Sequence, residues 1–245
     1  MVRDTDADWN VIATHQPYFG VLANERYLAE NLTAEAIDEF YASGQADIDH
    51  VVRVLGRVAG GKVAPRRGLD FGCGAGRLTL AMAKYAKEVV GVDVAEGMLR
   101  VARERIDAHK IRNVELRTTL PAEQVDWINS LIVFQHIPPP RGYEILADLV
   151  ALLAPGGFVS VQLTFFRDDR HIGEITRDLA DYRYDGATVE LLSHAGSERG
   201  HMSMYDYDLN RVLRTFFLGG VESVITEHTD HGGCHGAWFY GRKNA

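Results

Sequence analysis

Leu69-Asp70-Phe71-Gly72-Cys73-Gly74-Ala75-Gly76 closes a short apolar run, sets three glycines at alternate positions and opens an amphipathic segment. Glycine is needed where backbone takes positive φ or comes close to a ligand, and three at alternate positions leave one edge of the turn without Cβ atoms. The stretch predicts a strand-to-helix turn whose main chain meets a nucleoside-bearing ligand.

Working outward, strands are expected at 67–71, 89–94, 114–117, 127–133 and 158–166. Between them lie helical stripes: Leu78, Ala81, Met82 and Tyr85; Met98, Leu99, Ala102 and Ile106; Leu146, Leu149, Val150 and Leu153. Alternation of this kind predicts a sheet with crossover helices. Residues 118–126 leave room for only an abbreviated crossover, and Pro155-Gly156-Gly157 turns a helix into the fifth strand. Residues 167–203 lose the alternation and read as a cap-like insertion, with the charged run 167–170 as a solvated loop. A helix over 208–218 and an antiparallel hairpin of 221–228 and 236–242, turning at Gly232-Gly233, complete the chain. Upstream, residues 1–62 form a helical segment with one helix starting at Thr33 and another carrying Ile48, Val51, Val52, Leu55, Val58 and Ala59; residues 63–245 form the main domain. The expected fold is α/β: a Rossmann-like seven-stranded, mostly parallel sheet with an antiparallel final strand, helices on both faces, an N-terminal lid and an insertion after the fifth strand.

The 245 residues suit one such domain, and 26 basic against 34 acidic residues, net −8, argue against nucleic acid or an anionic membrane as partner. A small-molecule partner fits better. Two distant cysteines, Cys73 and Cys234, make no disulfide scaffold, and the acidic start (Asp4, Asp6, Asp8) is unlike a signal peptide, so a cytoplasmic setting is the expectation. Oligomeric state is left open, a homodimer among the options.

A lone glycine-rich turn is weak evidence, but here Asp93 follows at the end of the next strand, where a carboxylate accepts from a ribose diol. A dinucleotide site uses G-x-G-x-x-G, with pyrophosphate on the helix start. This chain has Asp70-x-Gly72-x-Gly74-x-Gly76 instead, acidic where a phosphate would be repelled. In these residues, over about 65–166, the chain resembles class I S-adenosylmethionine-dependent methyltransferases of the small-molecule type. The resemblance implies S-adenosylmethionine as cofactor and S-adenosylhomocysteine as product. It implies that Asp70 and the loop of Gly72, Cys73, Gly74 and Gly76 bind the methionine portion, Asp93 the ribose, and Val94, Met98 and Leu120 the adenine. Thr118-Thr119-Leu120 departs from the family, which often has an Asp reading the adenine amino group there. The Ser130 carbonyl would receive the methionine ammonium, Gln135 and His136 would face the reacting centre, and Tyr18, in Pro17-Tyr18-Phe19, would belong to a lid.

Methyl transfer from a sulfonium needs alignment and exclusion of water more than acid–base chemistry, and a base helps chiefly a hydroxyl acceptor. His136, just past the fourth strand at the ligand-bearing sheet edge, is the candidate base, with capping of the next turn as its structural alternative. His228, His231 and His235 are open to pocket lining, a solvated turn or a metal, and no metal site is expected. The expected activity is methylation of oxygen or nitrogen on a small metabolite, with a sugar or other polyhydroxylated acceptor suggested by the Tyr and Asp content of the N-terminal helices and of 167–203. The rivals are a non-catalytic S-adenosylmethionine-binding module and a nicotinamide oxidoreductase.

Overall fold

The computed structural model describes residues 4–171, 180–184, 188–193 and 202–245. Seven strands form one sheet: β1 (Arg67–Phe71), β2 (Glu88–Val92), β3 (Val114–Arg117), β4 (Val125–Ser130), β5 (Leu153–Arg167), β9 (Val224–His231) and β10 (Cys234–Arg242). Their order is β3-β2-β1-β4-β5-β10-β9, and only β10 runs against its neighbours. The order reverses beside β1, so the crevice of the sheet opens at the carboxyl ends of β1 and β4, where such sheets receive ligands. Three short strands, β6 (Ala180–Tyr184), β7 (Thr188–Ser193) and β8 (Met204–Tyr205), make a second antiparallel sheet within and just after the expected insertion.

The helical segments are α1 (Thr5–His15), α2 (Pro17–Val21), α3 (Ala34–Ala59), α4 (Arg77–Met82), α5 (Glu96–Ala108), α6 (Pro139–Leu152) and α7 (Leu209–Leu218). One face of the sheet buries Ile48, Val51, Val54 and Leu55 of α3 and Met82 of α4 against Trp127 and Tyr240. The other buries Leu146, Leu149 and Val150 of α6 and Val212 and Phe216 of α7 against Val159, Val161 and Phe239. Each such side chain stabilises the fold by about 1.5–3 kcal/mol through removal from water.

Several expectations change in detail. The two helices expected in 33–59 are one: Thr33 Oγ1 accepts from the Ala36 N–H at 3.2 Å, and the helix runs unbroken to Gly60, whose φ of +66° ends it. That helix is a layer of the main domain, so the covering segment is only α1, α2 and the turn that follows. The fourth strand leaves its ladder at Ser130, not 133, because Ile132 takes φ +62°. A β-branched residue there is strained, and its N–H is held by Gln162 Oε1 at 3.2 Å. Nor is the whole of 167–170 a solvated loop: Arg167 is buried, its guanidinium 3.1 Å from Asp206 and 3.0 Å from Cys234 Sγ. Most of 172–201 lies outside the described residues.

Candidate active site

A cavity of about 250 Å³ opens where β1, β2 and β4 end, roofed by α1 and α2. Its floor is the glycine turn. Gly72 and Gly74 line it with φ of +71° and +53°, and both Gly72 and Cys73 donate backbone N–H bonds to the Val92 carbonyl at 2.8 and 3.0 Å. A Cβ on Gly72 would come within 2.3 Å of the Val133 side chain, and one on Gly74 within 2.7 Å of Val21. The turn is thus pinched between β4's exit and the roof, and only glycine fits.

Asp93 fixes this turn to β2. Its Oδ2 accepts from the Gly74 N–H at 2.8 Å and its Oδ1 from the Ala95 N–H at 2.9 Å, while the carboxylate borders the cavity. Burial pushes its pKa up, and the two backbone N–H bonds oppose that rise. Each oxygen keeps lone pairs for a further donor. Beside it, Val94, Met98 and Leu120 form an apolar wall, with Thr118 on the same side.

Asp70 is placed differently from the expectation. It is 1% exposed, absent from the cavity wall, and engaged below it: Oδ2 accepts from Thr79 Oγ1 at 2.6 Å and Oδ1 from Asn129 Nδ2 at 3.1 Å. Asn129 Oδ1 in turn accepts from Ser160 Oγ at 2.8 Å, and Trp127 Nε1 donates to the same hydroxyl oxygen at 3.0 Å. The chain Asp70–Asn129–Ser160–Trp127 stitches β1, β4, β5 and α4 together beneath the turn. Burial raises the Asp70 pKa to about 6, offset by its two hydrogen bonds and by Arg77.

Cys73 is buried, and desolvation pushes its thiol pKa up, which suits a packing role. Gly76 caps α4 at φ +81°, and a Cβ there would meet Leu80 and Ala102, so it serves helix packing. Tyr18 sits edge-on to Phe40 and Tyr41, behind the turn, where Tyr41 Oη donates to the Ala75 carbonyl at 2.9 Å. Ser130 and Gln135 are buried outside the wall. Of the residues singled out from sequence, Gly72, Gly74, Asp93, Val94, Met98, Leu120 and His136 therefore converge on the cavity, and Asp70, Cys73, Gly76, Ser130, Gln135 and Tyr18 support it from behind or beside.

His136 sits in a short 3-10 turn after β4 and is 7% exposed. Its Nδ1 lies 3.0 Å from the Ser203 carbonyl, which can only accept, so the neutral ring carries its proton on Nδ1. Nε2 then keeps its lone pair and receives the Gln135 amide at 3.1 Å. Burial lowers the pKa to about 4, with Arg167 adding to the fall and the Ser203 bond resisting it. The ring is neutral at pH 7.

Sequence reasoning missed the residues on the far side of the cavity. Trp9 of α1 stands edge-on to His136 with ring centres 4.9 Å apart, and Asp6 of α1 holds Arg141 of α6 through two bonds of 2.8 Å. No local pattern flags them, since they meet across more than a hundred residues. The other histidine cluster lies off the cavity: His228 Nε2 pairs with His235 Nδ1 at 2.9 Å and His235 Nε2 with Asp168 at 3.0 Å. His231 lies apart from them, within the fields of Asp47 and Arg77. Among the described residues no three groups are arranged to hold a metal, and no helix is long and apolar enough to cross a membrane.

Comparison with known proteins meets this geometry. A family model for a methyltransferase domain matches residues 69–157, the stretch from β1 into the start of β5. An uncharacterised methyltransferase of Geobacillus kaustophilus is 30% identical over 185 residues, covering 71% of this chain and 84% of that protein. The chain belongs to the S-adenosylmethionine-dependent methyltransferases. It is also 34% identical over 107 residues to a ubiquinone biosynthesis O-methyltransferase of Acinetobacter baylyi, 40% of this chain but only 44% of that protein. Among solved structures, the magnesium protoporphyrin IX methyltransferase of Synechocystis with bound S-adenosylhomocysteine superposes with a TM-score of 0.60 over 94% of this chain and 98% of that one. At 18% identity that likeness establishes the methyltransferase fold.

Proposed function

We propose that this methyltransferase moves a methyl group from S-adenosylmethionine to oxygen or nitrogen of a small metabolite held between α1 and His136. The observation that carries the reading is the joining of Asp93 to the Gly74 N–H at 2.8 Å on the cavity floor, which fuses the acidic residue and the glycine turn into one cradle. The residues suit the cofactor on this structure's own terms: turn positions that only glycine can occupy, a carboxylate with spare lone pairs, and an apolar wall of Val94, Met98 and Leu120.

In this reading Asp93 accepts from the ribose hydroxyls, the Gly72–Gly74 main chain lies along the methionine portion, and the apolar wall takes the adenine. Asp70, Cys73, Gly76, Ser130, Gln135 and Tyr18 shape that cradle from outside it. The cofactor supplies a methyl already activated by positive charge on sulfur. The protein's part is to orient the acceptor ~3 Å from that methyl and to exclude water. His136 supplies a neutral imidazole whose Nε2 takes a proton from a hydroxyl acceptor once Gln135 releases it. Its low basicity makes that assistance weak, so an acceptor with an acidic hydroxyl or a free amine is favoured over an alcohol. A sugar is the less favoured acceptor for the same reason.

The test is formation of S-adenosylhomocysteine from S-adenosylmethionine with a panel of phenols, amines and alcohols. Turnover with phenols or amines supports the proposal. Cofactor binding without turnover on any acceptor would leave a non-catalytic binding module, and quenching of reduced nicotinamide fluorescence would restore the oxidoreductase.

A further inference from the structure

Arg141 is the one lysine or arginine among the described residues that line the cavity. Its setting is unusual for a cation. It lies in the first turn of α6, where the helix dipole opposes positive charge, and that turn has no acidic residue and no side-chain cap. The helix starts at Pro139, and neither Pro139 nor Pro140 has a backbone N–H, so this helix end offers an anion few main-chain donors and the guanidinium is its chief partner. What it holds is Asp6, by two parallel bonds of 2.8 Å, the fork geometry that matches a carboxylate. Asp6 comes from α1, the covering helix, and both side chains are nearly half exposed. An ion pair so exposed is held weakly enough to exchange partners. Asp4, at the cap of α1, adds negative field at the same place.

The surroundings complete a subsite. Trp9, Ile137 and Ile145 add apolar surface to the cavity that Arg141 and His136 share, with Trp9 edge-on to His136. We propose that Asp6 is a built-in stand-in for substrate: the methyl acceptor carries a carboxylate that replaces Asp6 on Arg141, lays an apolar or aromatic body against Trp9, and points its nucleophile at His136. Exchange frees α1 from α6 when an acceptor enters and restores the roof when the product leaves. This inference rests on the methyltransferase reading and names its acceptor class.

The probes are benzoate and its neutral isostere benzamide, titrated calorimetrically into protein saturated with S-adenosylhomocysteine. Asp6→Asn, which removes the internal competitor, is expected to bind benzoate ~5–10-fold tighter than the unaltered protein does, and ~10-fold tighter than it binds benzamide. Arg141→Gln is expected to abolish that preference. Arg141→Lys, which keeps charge but loses the fork, should lose most of it. Equal binding of the two probes by Asp6→Asn, no measurable benzoate binding by it, or a preference that survives Arg141→Gln would overturn the inference. The saturating S-adenosylhomocysteine titration separates the two levels: normal cofactor binding with no carboxylate preference sinks only the acceptor subsite, whereas no cofactor binding by the unaltered protein sinks the underlying reading.

Discussion

The two ends of the cavity are built by different means. The glycine-turn end, proposed for the donor, is made of main chain and near-neighbour contacts: Gly72 and Cys73 bond to Val92, and Gly74 to Asp93, all within one strand-turn-helix-strand unit. The His136 end, proposed for the acceptor, is made of groups brought from far apart: Trp9 against His136, Asp6 on Arg141, and the Ser203 carbonyl on His136. A backbone cradle has to be spelled by glycines and one acid at fixed spacing, so it can be read locally in the sequence. A side-chain pocket has no spacing to keep, so it can be rebuilt for each acceptor while the fold stays the same.

Substitutions at the donor end should cost most. Gly72→Val puts a branched side chain at φ +71° and 2.3 Å from Val133, and S-adenosylhomocysteine affinity by calorimetry should fall by more than ~100-fold, with a lower Tm. Should affinity hold, the cradle is not where the donor binds. His136→Ala probes the other end: turnover with a hydroxyl acceptor should fall only ~10-fold, in keeping with the imidazole's low basicity, with S-adenosylhomocysteine affinity unchanged, and an unchanged rate would remove the imidazole from the chemistry.

A third, smaller effect lies in pH. Folded His136 takes a proton only near pH 4, whereas the unfolded residue does so near its ordinary 6.5. The unfolded chain therefore binds more protons between those values, and stability falls as pH drops through that window, by about 2–3 kcal/mol from this residue. Asp70 works oppositely, since its folded pKa of about 6 exceeds the ordinary 3.8, so its cost of burial is relieved as pH falls. Chemical denaturation of the protein and of His136→Gln at pH 7 and pH 4.5 isolates the histidine: the difference between them should shrink or reverse at the lower pH. A constant difference would mean that His136 is not buried as a neutral ring. The smallest effect belongs to Tyr41→Phe, behind the turn, which loses one hydroxyl bond to Ala75 and about 1 kcal/mol of stability while cofactor affinity stays within about twofold.

The same contrast explains what could be read from the sequence. Apolar stripes placed α4, α5 and α6, and the paired glycines placed the last hairpin, because periodicity and turn chemistry are local. The join of α3 was not local: Gly44 interrupts the stripe, yet it is retained because a Cβ there would lie 2.2 Å from the Arg77 carbonyl, where α3 crosses α4. The end of β4 was misplaced because Ile132 reads as a strand residue, and only the bond from Gln162 reveals its left-handed turn. Asp93 could be found at the cavity because it follows a strand at the sheet's ligand edge. Asp70 follows the same kind of rule but turns inward, since Thr79 and Asn129 bond its carboxylate, and neither partner carries a signal of its own. Asp6 and Arg141 had none at all, one lying in an acidic terminus and the other beyond a proline run.

The central claim is that the backbone cradle joined to Asp93 is the donor site of a methyltransferase. Calorimetric titration of S-adenosylhomocysteine into the protein and into Asp93→Ala tests it most directly. One-to-one binding, weakened ~100-fold or more by the substitution while the fold melts as a single transition, is the expected outcome. Binding that is absent from the unaltered protein, or that is undiminished in Asp93→Ala, would contradict it.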